Sequence, residues 1–275
     1  MALRLPLILW LTVLMDSIIL MQSAQEKQLP DITDQSFIDR CVKAHNDHRS
    51  RVNPAASDML YMTWDEALAK SARAWARNCK NFHNPLLQTR GKVHPTFSPV
   101  GENIWVGEPF STFTVEGAVQ KWFNEVAEYT YSTKECKSVC GHYKQVVWAK
   151  SYKVGCAVQV CPNGIEEFSN NPKSAIFVCN YGDAGNIKGH HPYKEGTSCS
   201  GCPSDSCNNK LCRNPKREEL KSYSWSPDWD PGAASSASCN SFCLAVVITR
   251  PLSLLLIFAG VYGLQLLYPN LFAYE

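Results

Sequence analysis

The chain has 275 residues, 45% of them hydrophobic, and carries 27 Lys and Arg against 25 Asp and Glu for a formal charge of +2. That is enough apolar material for one sizeable core with appendages. The balanced charge, with no basic cluster interleaved with aromatics, excludes nucleic acid as a partner.

The N-terminal stretch MALRLPLILWLTVLM places Arg4 ahead of an apolar run over residues 5–15, and small residues Ser23 and Ala24 follow at a cleavage point. This predicts a signal peptide over residues 1–24. Thirteen cysteines on a secretory route imply oxidising conditions, where each bridge is worth about 2–4 kcal/mol. The odd count leaves at least one thiol over. No N-x-S/T acceptor occurs, so N-glycosylation is expected to be absent.

Over residues 34–50, Phe37, Cys41 and His45 share a stripe with Ile38 and Val42 beside it, which is helical spacing with Asp34 as N-cap. The segment WDEALAKSARAWARNC brings Leu68, Ala72, Trp75 and Cys79 to one face, with Asp65 and Glu66 at the end where the helix dipole favours acids. A third helix follows Thr112 and Thr114 through Val115, Ala118, Trp122 and Val126, with Glu125 in its last turns. Then YKQVVW, KVGCAVQVC and AIFVCNY, rich in β-branched and aromatic residues, predict an antiparallel sheet. Helices followed by strands give an α+β domain over residues 34–190.

Beyond it, Cys199, Cys202, Cys207 and Cys212 follow C-x2-C-x4-C-x4-C, a spacing that suits a zinc knuckle in a reducing compartment and two disulfides on a secretory route. Residues 199–212 are too small and polar to form a core without cross-links. The charged, aromatic and proline-bearing segment over 213–243 reads as an extended juxtamembrane stalk. Residues 251–272 contain no charge at neutral pH and are long enough to span a bilayer, which predicts a single-pass transmembrane helix with the N-terminal domain outside. The small-residue stretch GAASSASCNS before this apolar tail also fits a removable GPI-anchor signal.

Four stretches in this order, HNDHRS (45–50), GENIW (101–105), GHYKQVVWAKS (141–151) and FVCNYGDAGN (177–186), resemble the CAP superfamily of cysteine-rich secretory, antigen 5 and pathogenesis-related proteins. The membrane-proximal tail resembles the glioma pathogenesis-related subgroup. Lys144 and Asp183 depart from the usual motif residues and add charges beside them. The resemblance implies a three-layer α-β-α sandwich followed by a small disulfide-linked hinge. It further implies bridges Cys79–Cys161, Cys156–Cys179, Cys136–Cys140, Cys199–Cys207 and Cys202–Cys212, with Cys41, Cys239 and Cys243 unassigned.

The same resemblance points to His83, Glu102, Glu125 and His142 around a central cavity. Two imidazoles can ligate Zn²⁺ while carboxylates orient them, which implies weak, open binding by His83 and His142 with Glu102 and Glu125 behind. The opposing view makes the four a hydrogen-bonded tie between helices and sheet. His45, His94, His190 and His191 lack that partner pattern and are expected at the surface or at caps. A hydrolase would use Glu102 or Glu125 as base, but no H-E-x-x-H helix or G-x-S-x-G elbow accompanies them. The resemblance also implies a groove for sterol or fatty acid, for which Phe97, Ile104, Trp105, Phe110 and Phe113 are candidates that serve equally as core, and contact with a cell-surface protein. A non-catalytic binding module is the expected function.

Overall fold

The computed structural model describes residues 29–232 and 241–268. The chain divides into two compact units, Met1–Asp230 and Pro231–Glu275. The signal peptide expected over residues 1–24, and most of the small-residue anchor signal, lie outside the described residues.

Three amphipathic helices begin at acidic or hydroxyl caps. Helix α1 (Gln35–Arg49) starts at Asp34, whose carboxylate accepts from the backbone N–H groups of Ser36 and Phe37, and it buries Phe37, Cys41, Ala44 and His45. Helix α2 (Glu66–Ala76) starts at Asp65, which accepts from Leu68 N, and buries Leu68, Ala72 and Trp75 with the alanines between them. Helix α3 (Val115–Asn124) is capped by Thr114 and buries Val115, Ala118, Val119 and Trp122. Glu125 closes α3 and opens the 3-10 turn Glu125–Glu128.

The central sheet contains β1 (Thr63–Trp64), β2 (Gly101–Gly107), β5 (Lys153–Cys161) and β6 (Ser174–Gly182), ordered β1-β5-β6-β2. β1 runs parallel to β5, and the β5–β6 and β6–β2 pairs are antiparallel. Every residue of β6 is buried, because helices cover both of its faces. Side-chain alternation sorts those faces. Phe177 meets Phe37 of α1 and stacks on Trp122 of α3 at 5.4 Å. Asn180, on the opposite face, meets α2. There the helix lies so close that a Cβ at Gly155 would collide with the backbone of Asp65, Leu68 and Ala69. Helix, sheet and helix thus form the three layers.

Two segments differ from expectation. YKQVVW falls mostly in a short helix, α4 (Gly141–Val146), and not in a strand. Its Tyr143, Val146 and Val147 are buried at i, i+3 and i+4, the spacing of one helical face. The edge strand β2 was not foreseen as a strand, and it pairs along its whole length with β6, from Gly101↔Tyr181 to Gly107↔Ala175.

The four motif stretches are stitched together. Arg49, 1% exposed, gives its guanidinium to the carbonyls of Leu60, Val146, Trp148 and Ala149 at 2.7–3.2 Å. Gln145 accepts from Gly185 N at 2.8 Å, and Asn186 donates to Gly141 O at 2.8 Å. His45 and His94, expected near solvent, are buried. His94 Nδ1 accepts from the backbone of Thr96 and Phe97, so Nε2 carries the proton and donates to Asp65 at 3.1 Å.

Two-stranded ribbons β3 (Tyr129–Thr130) with β4 (Glu135–Cys136) and β7 (Ser206–Asn208) with β8 (Leu211–Arg213) complete the first unit, with the short helix α5 (Pro215–Glu218) after them. Among the described residues five disulfides form: Cys79–Cys161, Cys136–Cys140, Cys156–Cys179, Cys199–Cys207 and Cys202–Cys212. The sequence separation of 82 makes Cys79–Cys161 worth about 4–5 kcal/mol in the chain-entropy picture. The separation of 4 makes Cys136–Cys140 worth about 2 kcal/mol. Cys41 is a buried free thiol.

The stalk is not an extended linker up to Asp230. Lys153 Nζ donates to Glu219 O and Lys70 Nζ to Trp225 O, while Trp229 Nε1 donates to Lys92 O at 2.7 Å. Lys92 pairs with Asp228 and Arg77 with Asp230. Aromatic side chains with apolar seats lay this segment against the domain instead of leaving it solvated.

In the second unit, helix α6 covers Ser241–Leu267. Among the described residues no helix is long and apolar enough to cross a membrane, so the transmembrane helix expected over 251–272 is not supported. Arg250 lies inside α6 and leaves only residues 251–267 of the helix beyond it, the lower limit of the roughly 20 residues a span needs. Residues 269–272 lie outside the described ones.

Candidate functional site

The two histidine–glutamate pairs flank the edge strand β2. Glu102 and Asn103 are consecutive on that strand and point to opposite faces. Glu102 lies opposite Asn180 in the register, on the α2 face. Asn103 points to the other face, where its Nδ2 donates to His142 O at 3.1 Å.

On the α2 face, His83 stands in the loop after α2. Its Nδ1–H donates to Glu102 Oε1 at 3.0 Å, and Asn84 N donates to the same oxygen at 3.0 Å. Asn180, with its amide oriented to satisfy both neighbours, donates to Glu102 Oε2 at 3.2 Å and accepts from Ala72 N at 3.3 Å. The Glu102 side chain is 0% exposed, whereas that of His83 is 62% exposed. The hydrogen bond to Glu102 raises the His83 pKa against the opposing pull of desolvation. Burial raises the Glu102 pKa, and His83 and Asn84 counter it.

On the opposite face, Glu125 comes from the end of α3 and His142 from the start of α4. His142 Nδ1–H donates to Glu125 Oε1 at 2.6 Å. The backbone N–H groups of His142 and Tyr143 donate to Glu125 Oε2 at 2.9 and 3.2 Å. The His142 ring stacks on Trp122 at 14° between planes, and Trp122 stacks in turn on Phe177. Trp122 is itself fixed by donating to Ile104 O of β2 at 3.1 Å.

Both imidazoles therefore share one arrangement: Nδ1 is held by a carboxylate, and Nε2 has no hydrogen-bond partner among the described residues. A carboxylate on one ring nitrogen fixes the tautomer and the ring orientation, which is how metal-binding histidines are prepared. Each ring thus presents an Nε2 of the chemical kind that ligates divalent metals, but His83, Glu102, Glu125 and His142 are not among the described residues whose ligand atoms gather in a group of three or more within 4.8 Å of one another. Among the described residues, the cluster of three or more ligand atoms within 4.8 Å of one another is Cys199, Cys202 and Cys212. All three are in disulfides and offer no thiolate, so the hinge is not a zinc knuckle.

The apolar residues around GENIW divide between two places. Ile104, Trp105 and Phe113 are in the main core with Phe110 packed against it, and Phe97 packs beside Leu68, Val93 and Val100. A separate groove of about 630 Å³ is lined by Tyr131, Trp148, Ile187, Tyr193 and neighbours, and none of the four His/Glu residues lines it. No local pattern in the chain announces this groove, since its walls come from distant segments.

This three-layer arrangement, with its disulfides and motif contacts, defines a CAP domain. The chain belongs to the CAP, or cysteine-rich secretory protein, family, whose model matches residues 42–181. Among characterised relatives, glioma pathogenesis-related protein 1 of Mus musculus is 48% identical over 81% of this chain and 83% of its own. GLIPR1-like protein 1 of Bos taurus is 46% identical over 83% of this chain and 92% of its own. The solved structure of NaASP2 with Zn²⁺ superposes with a TM-score of 0.52 at 28% identity, covering 68% of this chain and all of that one.

Proposed function

We propose that the protein is an extracellular CAP-domain binding module whose cleft takes a divalent metal on His83 and His142. The observation that carries this reading is the paired geometry: each ring has Nδ1 held by a glutamate and Nε2 without a partner. The similarity to NaASP2, a protein solved with Zn²⁺, agrees with it. Two imidazoles without a third strong ligand give weak, exchangeable binding.

A binding role is favoured over hydrolysis. Glu125 accepts three N–H groups and Glu102 is enclosed with both oxygens engaged. Each carboxylate is engaged in holding its histidine and the neighbouring amides in place, a positioning role.

The aromatic groove at Tyr131, Trp148 and Tyr193 is the place offered for the sterol or fatty-acid ligand. Attachment to a membrane through the C-terminal segment, and contact with a cell-surface protein, complete the proposal.

The test is a calorimetric Zn²⁺ titration of the full chain beside the His83→Ala/His142→Ala double variant. Saturable binding in the parent and none in the variant is expected. Equal binding in both would remove the metal site and leave the four residues as a structural tie. Uptake of labelled fatty acid that survives Trp148→Ala would remove the groove.

A further inference from the structure

We infer that the Cys136–Cys140 disulfide is a redox-modification site through which an extracellular dithiol controls the Glu125–His142 half of the cleft. The control of metal affinity rests on the binding reading above; the reduction of the bridge and its effect on His142 do not.

The chain makes a closed excursion between the two residues of that pair. It leaves Glu125 through the turn Glu125–Glu128, pairs Tyr129 with Cys136 across β3 and β4, and returns through Cys140 to His142. The disulfide cross-links the return leg just before α4 begins. Cys140 is the N-cap residue of α4 and makes no side-chain capping hydrogen bond there. Covalent linkage to Cys136 is therefore the side-chain restraint at that position. The next two backbone N–H groups after Gly141 are those that hold Glu125 Oε2.

Access to the bridge is one-sided. Residues 132–139 are all exposed, Cys136 among them, while Cys140 is 1% exposed. The Cys156–Cys179 bridge is buried at both ends, and Cys161 and Cys212 are likewise buried. Cys207 of the hinge is exposed as well, but its bridge touches none of the four cleft residues.

Thiol–disulfide exchange supplies the chemistry. A thiolate of the dithiol attacks Cys136 Sγ, forming a mixed disulfide and breaking the Cys136–Cys140 bond, so that Cys140 leaves as a thiolate and takes a proton. The second thiol of the reagent then attacks its own sulfur in the mixed disulfide and releases Cys136, which is also protonated. Two electrons and two protons pass from the dithiol, which becomes a cyclic disulfide, to the two cysteines. Loss of the cross-link loosens the start of α4 and the carboxylate hold on His142. Complete loss of that carboxylate contact would lower metal affinity about 10- to 100-fold, which bounds the effect of loosening it.

The test treats the folded full chain with limiting dithiothreitol, alkylates, and maps the labelled cysteines by mass spectrometry. Zn²⁺ titrations and His142 ring NMR follow, before and after reduction. Cys136 and Cys140 are expected to label while the buried Cys156–Cys179 bridge stays closed, and the hinge bridge at the exposed Cys207 labels independently of them. Zn²⁺ affinity should fall by up to about 10- to 100-fold, the His142 resonance should shift, and reoxidation should reverse both. Cys136→Ser/Cys140→Ser should match the reduced protein and ignore the reductant. Failure of Cys136 and Cys140 to label, or an unmoved His142 resonance once they have labelled, would overturn the inference. Absence of Zn²⁺ binding in the oxidised protein would instead overturn the metal reading, with the labelling pattern and the resonance still deciding the redox site.

Discussion

His45 Nε2 lies 2.8 Å from the hydroxyl of Tyr181, and both residues are fully buried between α1 and β6. His45 Nδ1 is 2.7 Å from Cys41 O, a carbonyl that only accepts, so Nδ1 carries the proton and Nε2 accepts from Tyr181. Burial lowers the His45 pKa to about 4. The unfolded chain titrates this group near 6.5, so as pH falls from about 6.5 towards 4 the unfolded state binds a proton that the folded state refuses. Stability is fully present above about 6.5 and declines below it, by about 3 kcal/mol at most from this residue. His48, stacked on Phe123 and also lowered to about 4 by burial, acts in the same direction. Guanidinium unfolding at intervals from pH 7 to 4 should show this decline, and His45→Gln should flatten it. An unchanged slope in the variant would assign the acid sensitivity elsewhere.

The parts of the fold that bury one regular face were legible in sequence. Helices α1, α2 and α3 repeat their apolar residues at helical spacing behind recognisable caps, and β5 and β6 carry β-branched runs that only a doubly covered sheet accommodates. Helix α4 was hidden because six residues hold too few turns for Tyr143 and Val146 to outweigh the β-branched pair that ends the stretch. The cleft was reachable only through the family resemblance, since His83 and Glu102 are 19 positions apart and Glu125 and His142 are 17 apart. No local periodicity links such residues. The His94–Asp65 contact, across 29 positions, was missed for the same reason.

Glu102→Gln separates the electrostatic part of the cleft from its packing. Glutamine keeps an oxygen for Asn84 N and nearly the same volume, but removes the negative charge beside His83. In the parent, both the His83 and the Glu102 pKa are raised, so the folded state holds protons more firmly than the unfolded one. The contribution of this pair to stability is greatest at low pH and is lost as pH rises through the folded-state values. In the variant, the His83 ring should titrate closer to the ordinary imidazole range near 6.5, followed by its proton resonances. A His83 titration that does not move would show that some other group holds the proton on the ring.

The segment ending at Asp230 should behave as part of the domain. Trp229 packs against Leu68, Val93 and Val100 and donates to Lys92 O, while its chain neighbours Asp228 and Asp230 pair with Lys92 and Arg77. The ion pair at Lys92 is exposed, with side chains 45% and 66% accessible, and such pairs contribute little. The indole is the main attachment. Trp229→Ala removes half-buried apolar surface and one hydrogen bond, a loss of about 2 kcal/mol. Thermal unfolding should drop accordingly, and trypsin should cut after Lys221 faster than in the parent, because a protease needs the backbone lifted off the surface. Asp228→Asn should change both readouts much less. If the asparagine variant were cleaved as fast as the alanine variant, charge and not the buried indole would be what holds the segment down.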